Sequence, residues 1–160
     1  MIFVTVGSQK FQFNRLLEKL DRMIEEERIH EPVFAQTGYS DYKPRHYEFQ
    51  PFLSKEEFDA HIQEADIVLT HGGTGVIVGS VKKGKKVIAV PRLERFGEHV
   101  DDHQTQIVEL FKEAGLIYGC TDCTELEEAF GKIRDLSFKP YESNTQRILD
   151  SIDSFISSCF

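Results

Sequence analysis

The chain has 160 residues, a length that suits one domain with one core, because globular domains usually contain roughly 100–200 residues. Its net charge of −8 argues against broad electrostatic binding to nucleic acid or to an anionic membrane surface. No apolar run approaches the roughly 20 residues that cross a bilayer, and the N-terminus lacks the pattern of a secretory signal, so we expect a cytoplasmic protein.

Short apolar runs alternate with amphipathic segments along the chain. Runs rich in β-branched and aromatic residues between turn residues predict buried strands, and apolar residues at helical spacing predict helices. Ser54 and Glu57 form a capping-box pattern, which marks the start of a helix. In chain order the predicted elements are a strand at 2–6, a helix at about 12–27, strands at 32–36 and 47–49, a helix at about 54–64, a strand at 67–70, a helix at 75–81, a strand at 86–90, a helix at about 99–114, a strand at 116–119, and helices at about 124–134 and 142–160.

This alternation predicts an α/β fold, with a Rossmann-like, doubly wound and mainly parallel sheet covered by helices on both faces. The sequence shows no internal repeat and no interdomain linker, so we interpret residues 1–160 as one domain. The last helix, at about 142–160, is expected either to dock on a partner or to pack on its own domain. Ligands of such sheets bind beside the carboxyl ends of the strands, so the loops that follow the strands are the candidate sites.

The strongest motif is a glycine-rich segment between the predicted strand at 67–70 and the next helix. Glycines let the backbone approach a ligand closely, while free N–H groups and the helix dipole favour a phosphate. The alternative is a turn that merely packs the helix on the strand. Neither the nucleotide P-loop pattern nor the dinucleotide pattern G-x-G-x-x-G is present. The residues of this motif are His71, Gly72, Gly73, Thr74 and Gly75.

Two further loops end at the same predicted edge of the sheet. Gly7, Ser8 and Gln9 follow the first strand and offer a hydroxyl, an amide and backbone N–H groups to the same ligand, although simple turn chemistry explains them equally well. A polar segment follows the strand at 86–90, and its carboxylates, imidazoles and amide suit hydrogen bonding to sugar hydroxyls. Its candidate residues are Glu98, His99, Asp102, His103 and Gln104, and Asp102 is also a candidate helix cap.

A solvated helix start and metal binding are the competing interpretations of this polar segment. His99 and His103 are four residues apart and would share one helical face, but no third ligand is evident. The three cysteines, Cys120, Cys123 and Cys159, include one C-x-x-C pair, whereas a zinc site needs a second pair of ligands. We therefore expect reduced, partly buried thiols and no metal.

The order of these motifs resembles the C-terminal donor lobe of family 28 glycosyltransferases over roughly residues 1–135. The segments that carry the resemblance are TVGSQ, ADIVLTHGGTG, KKVIAVPR and EHVDDHQ. The resemblance is greatest to the small catalytic subunits of two-chain bacterial capsule and exopolysaccharide glycosyltransferases. The chain resembles more distantly the soluble subunit of the eukaryotic dolichol-linked N-acetylglucosaminyltransferase.

The resemblance implies the donor-binding half of a GT-B glycosyltransferase. Its reaction would transfer a hexose, galactose or glucuronic acid, from a UDP-sugar to a lipid-diphosphate-linked saccharide, with no cofactor besides the donor. It also implies a membrane-anchored partner subunit that binds the acceptor and recruits this chain to the inner face of the membrane. Two alternatives stay open: a non-catalytic donor-binding or regulatory subunit, and a nicotinamide-dependent redox protein, which would need the missing dinucleotide pattern.

The family's site residues are transferred by position. The first phosphate loop of the family corresponds to Gly7, Ser8 and Gln9, and the second to Gly73, Thr74 and Gly75. The segment beside the uracil corresponds to Phe52 and Leu53. The segment that contacts the donor sugar corresponds to Asp102, His103 and Gln104.

Two functional assignments remain incomplete at the level of sequence. Relatives have a glutamate for the ribose where this chain has Gly79, so ribose recognition is either weaker or moves to another residue such as Glu98. His71 is the catalytic candidate, as the donor of a hydrogen bond to a phosphate oxygen. The base that deprotonates the acceptor is expected on the partner chain.

Overall fold

The structure is a computed structural model that describes residues 1–140 and, further along, Arg147, Asp150, Ser151, Asp153 and Ser154, which are helical. Its centre is a six-stranded sheet in which every neighbouring pair of strands is parallel. The strands are β1 (Ile2–Thr5), β2 (Val33–Gln36), β3 (Glu48–Gln50), β4 (Ile67–Thr70), β5 (Lys86–Ala89) and β6 (Tyr118–Gly119), in the spatial order β3-β2-β1-β4-β5-β6.

Within residues 1–140, five α-helices connect these strands or follow them: α1 (Asn14–Glu25), α2 (Lys55–Glu64), α3 (Thr74–Lys82), α4 (His103–Glu113) and α5 (Leu126–Lys132). Three single 3₁₀ turns lie at Glu94–Phe96, Cys123–Glu125 and Ile133–Asp135. The predicted capping box of α2 is confirmed, since Ser54 accepts from the Glu57 N–H and the Glu57 carboxylate accepts from the Ser54 N–H. Most of the predicted helix at 142–160, including its apolar residues, lies outside the described residues.

The fourth predicted helix starts later than its sequence suggests. Residues 99–102 were expected to be helical, but α4 begins at His103. The preceding residues form turns, with Gly97 at a φ of +68°, and their side chains bond to nearby backbone N–H groups. Such local bonds compete with helix formation, which explains the difference.

The central strands are buried on both faces, as their continuous apolar sequences require. In β1, Ile2 and Val4 point into one core while Phe3 points into the other. In β4, Leu69 and Val68 divide between the same two cores. The sheet therefore separates two layers of helices, and the doubly wound prediction is confirmed.

The strand order creates a crevice between β1 and β4. The chain proceeds from β1 outward through β2 and β3, then returns by α2 to β4 on the other side of β1. Loops that leave neighbouring strands in opposite directions open a crevice at their carboxyl ends, where ligands of doubly wound sheets bind. The two glycine loops leave β1 and β4, so the topology brings them together.

A buried aspartate fixes the long loop between β2 and β3. Asp21, on α1, accepts hydrogen bonds from the Tyr42 hydroxyl at 2.6 Å, from the N–H groups of Arg45 and His46 at 2.9 Å each, and lies 3.0 Å from His46 Nδ1. Burial opposes ionisation, but these hydrogen bonds outweigh it and lower the pKa of Asp21 below its usual value. These contacts attach the loop to α1.

We expect Asp21→Asn to destabilise the fold by about 2 kcal/mol, because the amide loses a charged acceptor and places N–H donors against other donors. Urea unfolding at neutral pH measures the change. Asp41→Asn is the matched control, since Asp41 is an exposed residue of the same loop. Equal stability of the two variants would show that the Asp21 contacts contribute nothing to the fold.

Candidate active site

Side-chain hydrogen bonds connect the carboxyl ends of β1, β2 and β4 immediately before the glycine loops. The Thr70 hydroxyl donates to the Thr5 carbonyl at 3.0 Å, and the Thr5 hydroxyl donates to Gln36 Oε1 at 2.6 Å. All three residues are buried. The loops after β1 and β4 therefore leave from a fixed base, which is the first requirement of a preorganised site.

The imidazole of His71 lies between the two glycine loops. A Cβ atom on Gly7 would come within 2.6 Å of His71 Nε2, and one on Gly73 within 2.7 Å of the same atom. Gly7 also has a φ of +78°, which favours glycine by itself, whereas Gly73 has an ordinary φ of −79°. At Gly73 it is the close approach of the ring, and not the backbone angle, that requires glycine.

Burial keeps the His71 ring neutral. The side chain is only 6% exposed, and desolvation, followed by the charge of Arg92, lowers its pKa to about 3, while hydrogen bonding to Gln104 acts in the opposite direction. Nδ1 is buried and has no hydrogen-bond partner within the described part of the protein. A neutral ring carries one N–H, so His71 can donate a single hydrogen bond without adding charge to the crevice.

The N-terminus of α3 faces the second glycine loop. Gly73 is its N-cap residue, and no described side chain caps it. The N–H groups of the first helical turn have no partner inside the helix, and together with the helix dipole they favour an anion. Thr74 is partly exposed and Gly75 exposed, and no atom lies within 4 Å of the position of a Gly75 Cβ. Ser8 and Gln9, in the first glycine loop, are exposed as well.

Gln104 connects the start of α4 to this arrangement. Its Oε1 accepts from the Gly72 N–H at 3.1 Å and from the Arg92 N–H at 3.0 Å, and the side chain is buried. The oxygen that was predicted to bind a sugar hydroxyl is therefore engaged by backbone N–H groups. Gln104 acts in this structure as a residue that positions the loops after β4 and β5.

Asp101 joins the two histidines of the polar segment. One carboxylate oxygen lies 3.1 Å from His99 Nδ1, and the other lies 3.5 Å from His103 Nε2. His99 precedes α4, so the expectation that both histidines share a helical face is wrong. No cluster of three or more His, Cys, Asp or Glu side chains with metal-binding geometry occurs among the described residues.

Two carboxylates of this segment have partners that were not predicted. Asp102 occupies the N-cap position of α4 but does not cap it, because its carboxylate accepts from the Glu94 N–H at 2.8 Å. Glu98 is fully buried and forms an ion pair with Arg15 at 2.9 Å. These contacts are at odds with Glu98 as the ribose ligand, since the carboxylate is not accessible to a molecule in solvent.

The residues assigned to the uracil follow β3 at the same edge of the sheet. Phe52 is 48% exposed and meets Tyr39 edge to face, with 5.3 Å between the ring centroids. Leu53 is half-buried against the core on the α3 side of the sheet. Tyr39 follows Gly38, whose Cβ position lies 2.6 Å from the Gly7 carbonyl oxygen, so this aromatic pair adjoins the first glycine loop.

A cavity of about 540 Å³ lies away from the glycine loops, beside α1. Arg15, Lys19 and Arg22 line it, but each of these cations already pairs with a carboxylate. A phosphate would have to displace those partners. We therefore assign the candidate site to the crevice between the glycine loops, where backbone N–H groups and a helix N-terminus converge.

Sequence reasoning missed three charged residues of this region: Arg15, Arg92 and Asp101. Arg92 carried the clearest signal, since an arginine directly after the apolar strand β5 and Pro91 falls at the ligand-binding edge of a parallel sheet. Arg15 gave no such signal, because its partners are 83 and 107 residues away in the chain.

Cys120 and Cys123 are buried, unpaired thiols, as predicted. Burial is the largest cause that raises the pKa of each to about 12, so both stay protonated and unreactive at neutral pH. Cys159 lies outside the described residues.

These observations define a class of protein, an α/β protein with a Rossmann-like parallel sheet and a glycine-lined crevice at its switch point. The chain matches the glycosyltransferase family 28 C-terminal domain over residues 1–157, and it belongs to that family.

Curated relatives include the UDP-N-acetylglucosamine transferase subunit ALG13 of Mus musculus, 25% identical over 126 residues. The protein of the same name from Candida glabrata is 33% identical over 81 residues. The aligned stretches cover 74% and 50% of this chain but only 10% and 39% of those proteins.

Solved structures confirm the fold. MurG from Acinetobacter baumannii superposes with a TM-score of 0.57 at 20% identity, over 82% of this chain and 40% of MurG. The kitacinnamycin glycotransferase superposes with a TM-score of 0.59 at 16% identity, over 94% of this chain and 37% of that one. The predicted fold class, one Rossmann-like half of a GT-B glycosyltransferase, is thereby shown.

We expect Gly73→Ala to destabilise the protein by about 1–3 kcal/mol, because the new methyl group overlaps the buried His71 ring. Gly79→Ala is the control: this glycine is also in α3, but no atom lies within 4 Å of its Cβ position. A helical glycine replaced by alanine stabilises by about 0.5–1 kcal/mol. Urea unfolding of both variants measures the contrast, and a Gly73→Ala protein as stable as Gly79→Ala would show that the ring does not lie where we describe it.

The neutral state of His71 makes stability depend on pH. Between its unfolded pKa near 6.5 and its folded pKa of about 3, the unfolded chain binds a proton that the folded chain does not, so stability falls as the pH falls. The slope approaches about 1.4 kcal/mol per pH unit. We expect urea unfolding of His71→Asn between pH 6 and pH 4.5 to lose this slope. His30→Asn, at an exposed position, should keep it, and a His71→Asn slope equal to that of the wild type would contradict the assignment.

Proposed function

We propose that this chain binds the UDP-sugar donor of a glycosyltransferase and supplies the donor half of its active site. The observation that carries the proposal is the convergence of two glycine loops and the N-terminus of α3 on one crevice, with a neutral histidine between the loops. Membership of the family and the names of the mouse and Candida glabrata relatives support a UDP-sugar as the ligand.

In this proposal the diphosphate lies across both glycine loops. Backbone N–H groups of the loops and the α3 dipole stabilise the negative charge that develops on the departing UDP in the transition state. His71 donates one hydrogen bond to a phosphate oxygen from its neutral ring. Because the ring is already neutral and fixed, no proton or side chain has to rearrange as the bond to the sugar breaks.

The remaining parts of the donor occupy the two flanks of the crevice. The uracil lies beside Phe52 and Leu53, and the sugar lies beside the polar segment that contains His99, Asp102 and His103. Asp102 and His103 are exposed and partly exposed, which suits contact with sugar hydroxyls. Galactose, glucuronic acid and N-acetylglucosamine are the candidate sugars, the first two from the bacterial capsule resemblance and the third from the names of the relatives.

A membrane-anchored partner subunit completes the enzyme in this proposal. Its lobe binds a lipid-diphosphate-linked saccharide, supplies the base that deprotonates the acceptor hydroxyl, and recruits this chain to the inner face of the membrane. The family is a C-terminal domain, which corresponds to one lobe, and the relatives are named as transferase subunits; both facts support a partner.

Calorimetric titration with UDP tests the proposed site directly. We expect the wild-type chain and Gly79→Ala to bind UDP alike, and Gly73→Ala to bind at least about tenfold more weakly, since displacement of His71 disturbs both loops. Equal UDP affinity in all three proteins would place the nucleotide elsewhere. Titration with a panel of UDP-sugars then identifies the donor.

Two further measurements separate the alternative functions. A fluorescence titration with NADH that showed tight binding, without UDP binding, would favour the nicotinamide-dependent redox protein. Transfer assays with the partner distinguish a catalytic from a regulatory subunit: loop variants such as Gly73→Ala abolish transfer if this chain holds the donor during the reaction, and leave it intact if the partner performs all the chemistry.

A further inference from the structure

The side chain of Arg92 is fully buried beneath the first glycine loop. It follows β5 and Pro91 at the carboxyl edge of the sheet, and no part of it is exposed. A buried cation is costly unless it is paired and hydrogen-bonded. Its guanidinium donates to four backbone carbonyls, those of Val6, Phe11, Gln12 and Glu98, while its Nε has no hydrogen-bond partner within the described part of the protein.

Three of these carbonyls belong to the segment that connects β1 to α1. Val6 precedes the first glycine loop, while Phe11 and Gln12 follow it, at 3.0 Å and 3.2 Å from the guanidinium. The planar guanidinium of Arg92 thus holds both ends of the first glycine loop through hydrogen bonds to the backbone. Because the guanidinium presents its donors in a fixed fork, it sets the path of the residues between those ends.

Arg92 also places positive charge close to the crevice. Burial lowers the pKa of Arg92 to about 10, while Glu98 acts to raise it, so the group is a cation at neutral pH. Arg92 donates to the backbone carbonyl of Glu98, whereas the Glu98 carboxylate pairs with Arg15, which pairs with Asp122 as well. After burial, the charge of this cation is the next cause that lowers the pKa of His71, whose ring lies between the two loops.

We infer that Arg92 is the residue that positions the first glycine loop for the diphosphate and supplies the buried positive charge beneath it. The inference deepens the proposed function and rests on it. Arg92 does not touch the ligand in this arrangement, because the backbone of the first glycine loop lies between the two. Its effect on affinity is exerted through the loop and through its charge, so it is selective for the phosphates and leaves the nucleoside unaffected.

The test compares UDP with uridine, which lacks the diphosphate. We expect Arg92→Met to weaken UDP binding about 100-fold and Arg92→Lys about tenfold, because lysine keeps the charge but cannot reach all four carbonyls. Uridine affinity, measured by NMR titration, should stay within about twofold of the wild type in both variants. Arg95→Met is the matched control, since Arg95 is an exposed arginine three residues away, and it should bind UDP like the wild type.

A purely structural role for Arg92 predicts a different result. In that case the variants lower the free energy of unfolding while the folded protein keeps its UDP affinity, or they weaken UDP and uridine equally; either outcome overturns the inference. Failure of the wild-type chain to bind UDP overturns the proposed function and this inference together. Wild-type UDP binding with an unchanged affinity in Arg92→Lys overturns the inference alone.

Glu98→Gln provides a second test if Arg92→Met does not fold. The substitution keeps the shape of the side chain and removes the negative charge beside Arg92. If the buried cation acts on the diphosphate, UDP should bind about threefold more tightly to Glu98→Gln while uridine binding is unchanged. Weaker binding of UDP to this variant would contradict a role for the charge of Arg92.

Discussion

The close approach of His71 to both glycine loops is the contact on which the site depends. The two glycine loops are more than sixty residues apart in the chain. Both contact the His71 ring because β1 and β4 are neighbouring strands, with Thr5 directly opposite Thr70. The hydroxyl of Thr70 then ties the two strand ends together. A side chain at Gly7 or Gly73 would push the ring away, so the separation of the loops is set by the width of one imidazole.

In the proposed function, an acidic chain binds the anionic diphosphate of a UDP-sugar. A net charge of −8 repels UDP at long range, but physiological salt screens charges beyond about 8 Å. At contact distance the balance differs, because backbone N–H groups and the α3 dipole face the crevice, while the buried guanidinium of Arg92 lies beneath the first glycine loop. The neutrality of His71 fits this arrangement, since a protonated ring beside Arg92 would require two uncompensated cations in a dry space.

The parts of this fold that follow from local sequence could be predicted, and the parts that follow from distant pairing could not. Continuous apolar runs specified β1, β4 and β5, and glycines between a strand and a helix specified the second loop. The start of α4 was misplaced because Asp101 and Asp102 bond to backbone N–H groups, a choice that periodicity does not reveal. The contacts of Arg15 and Arg92 with Glu98 depend on tertiary structure, and no spacing in the sequence encodes them.

Gln104 links the two functions that the sequence had assigned to separate loops. Its single side-chain oxygen accepts from the N–H of Gly72, in the phosphate loop, and from the N–H of Arg92, below the other loop. The polar segment that we assign to the sugar lies just before Gln104, and His103, its neighbour, is the first residue of the same helix. In the proposed function, a bound sugar that displaced α4 would also move this acceptor, so the single amide of Gln104 would couple recognition of the sugar to recognition of the diphosphate.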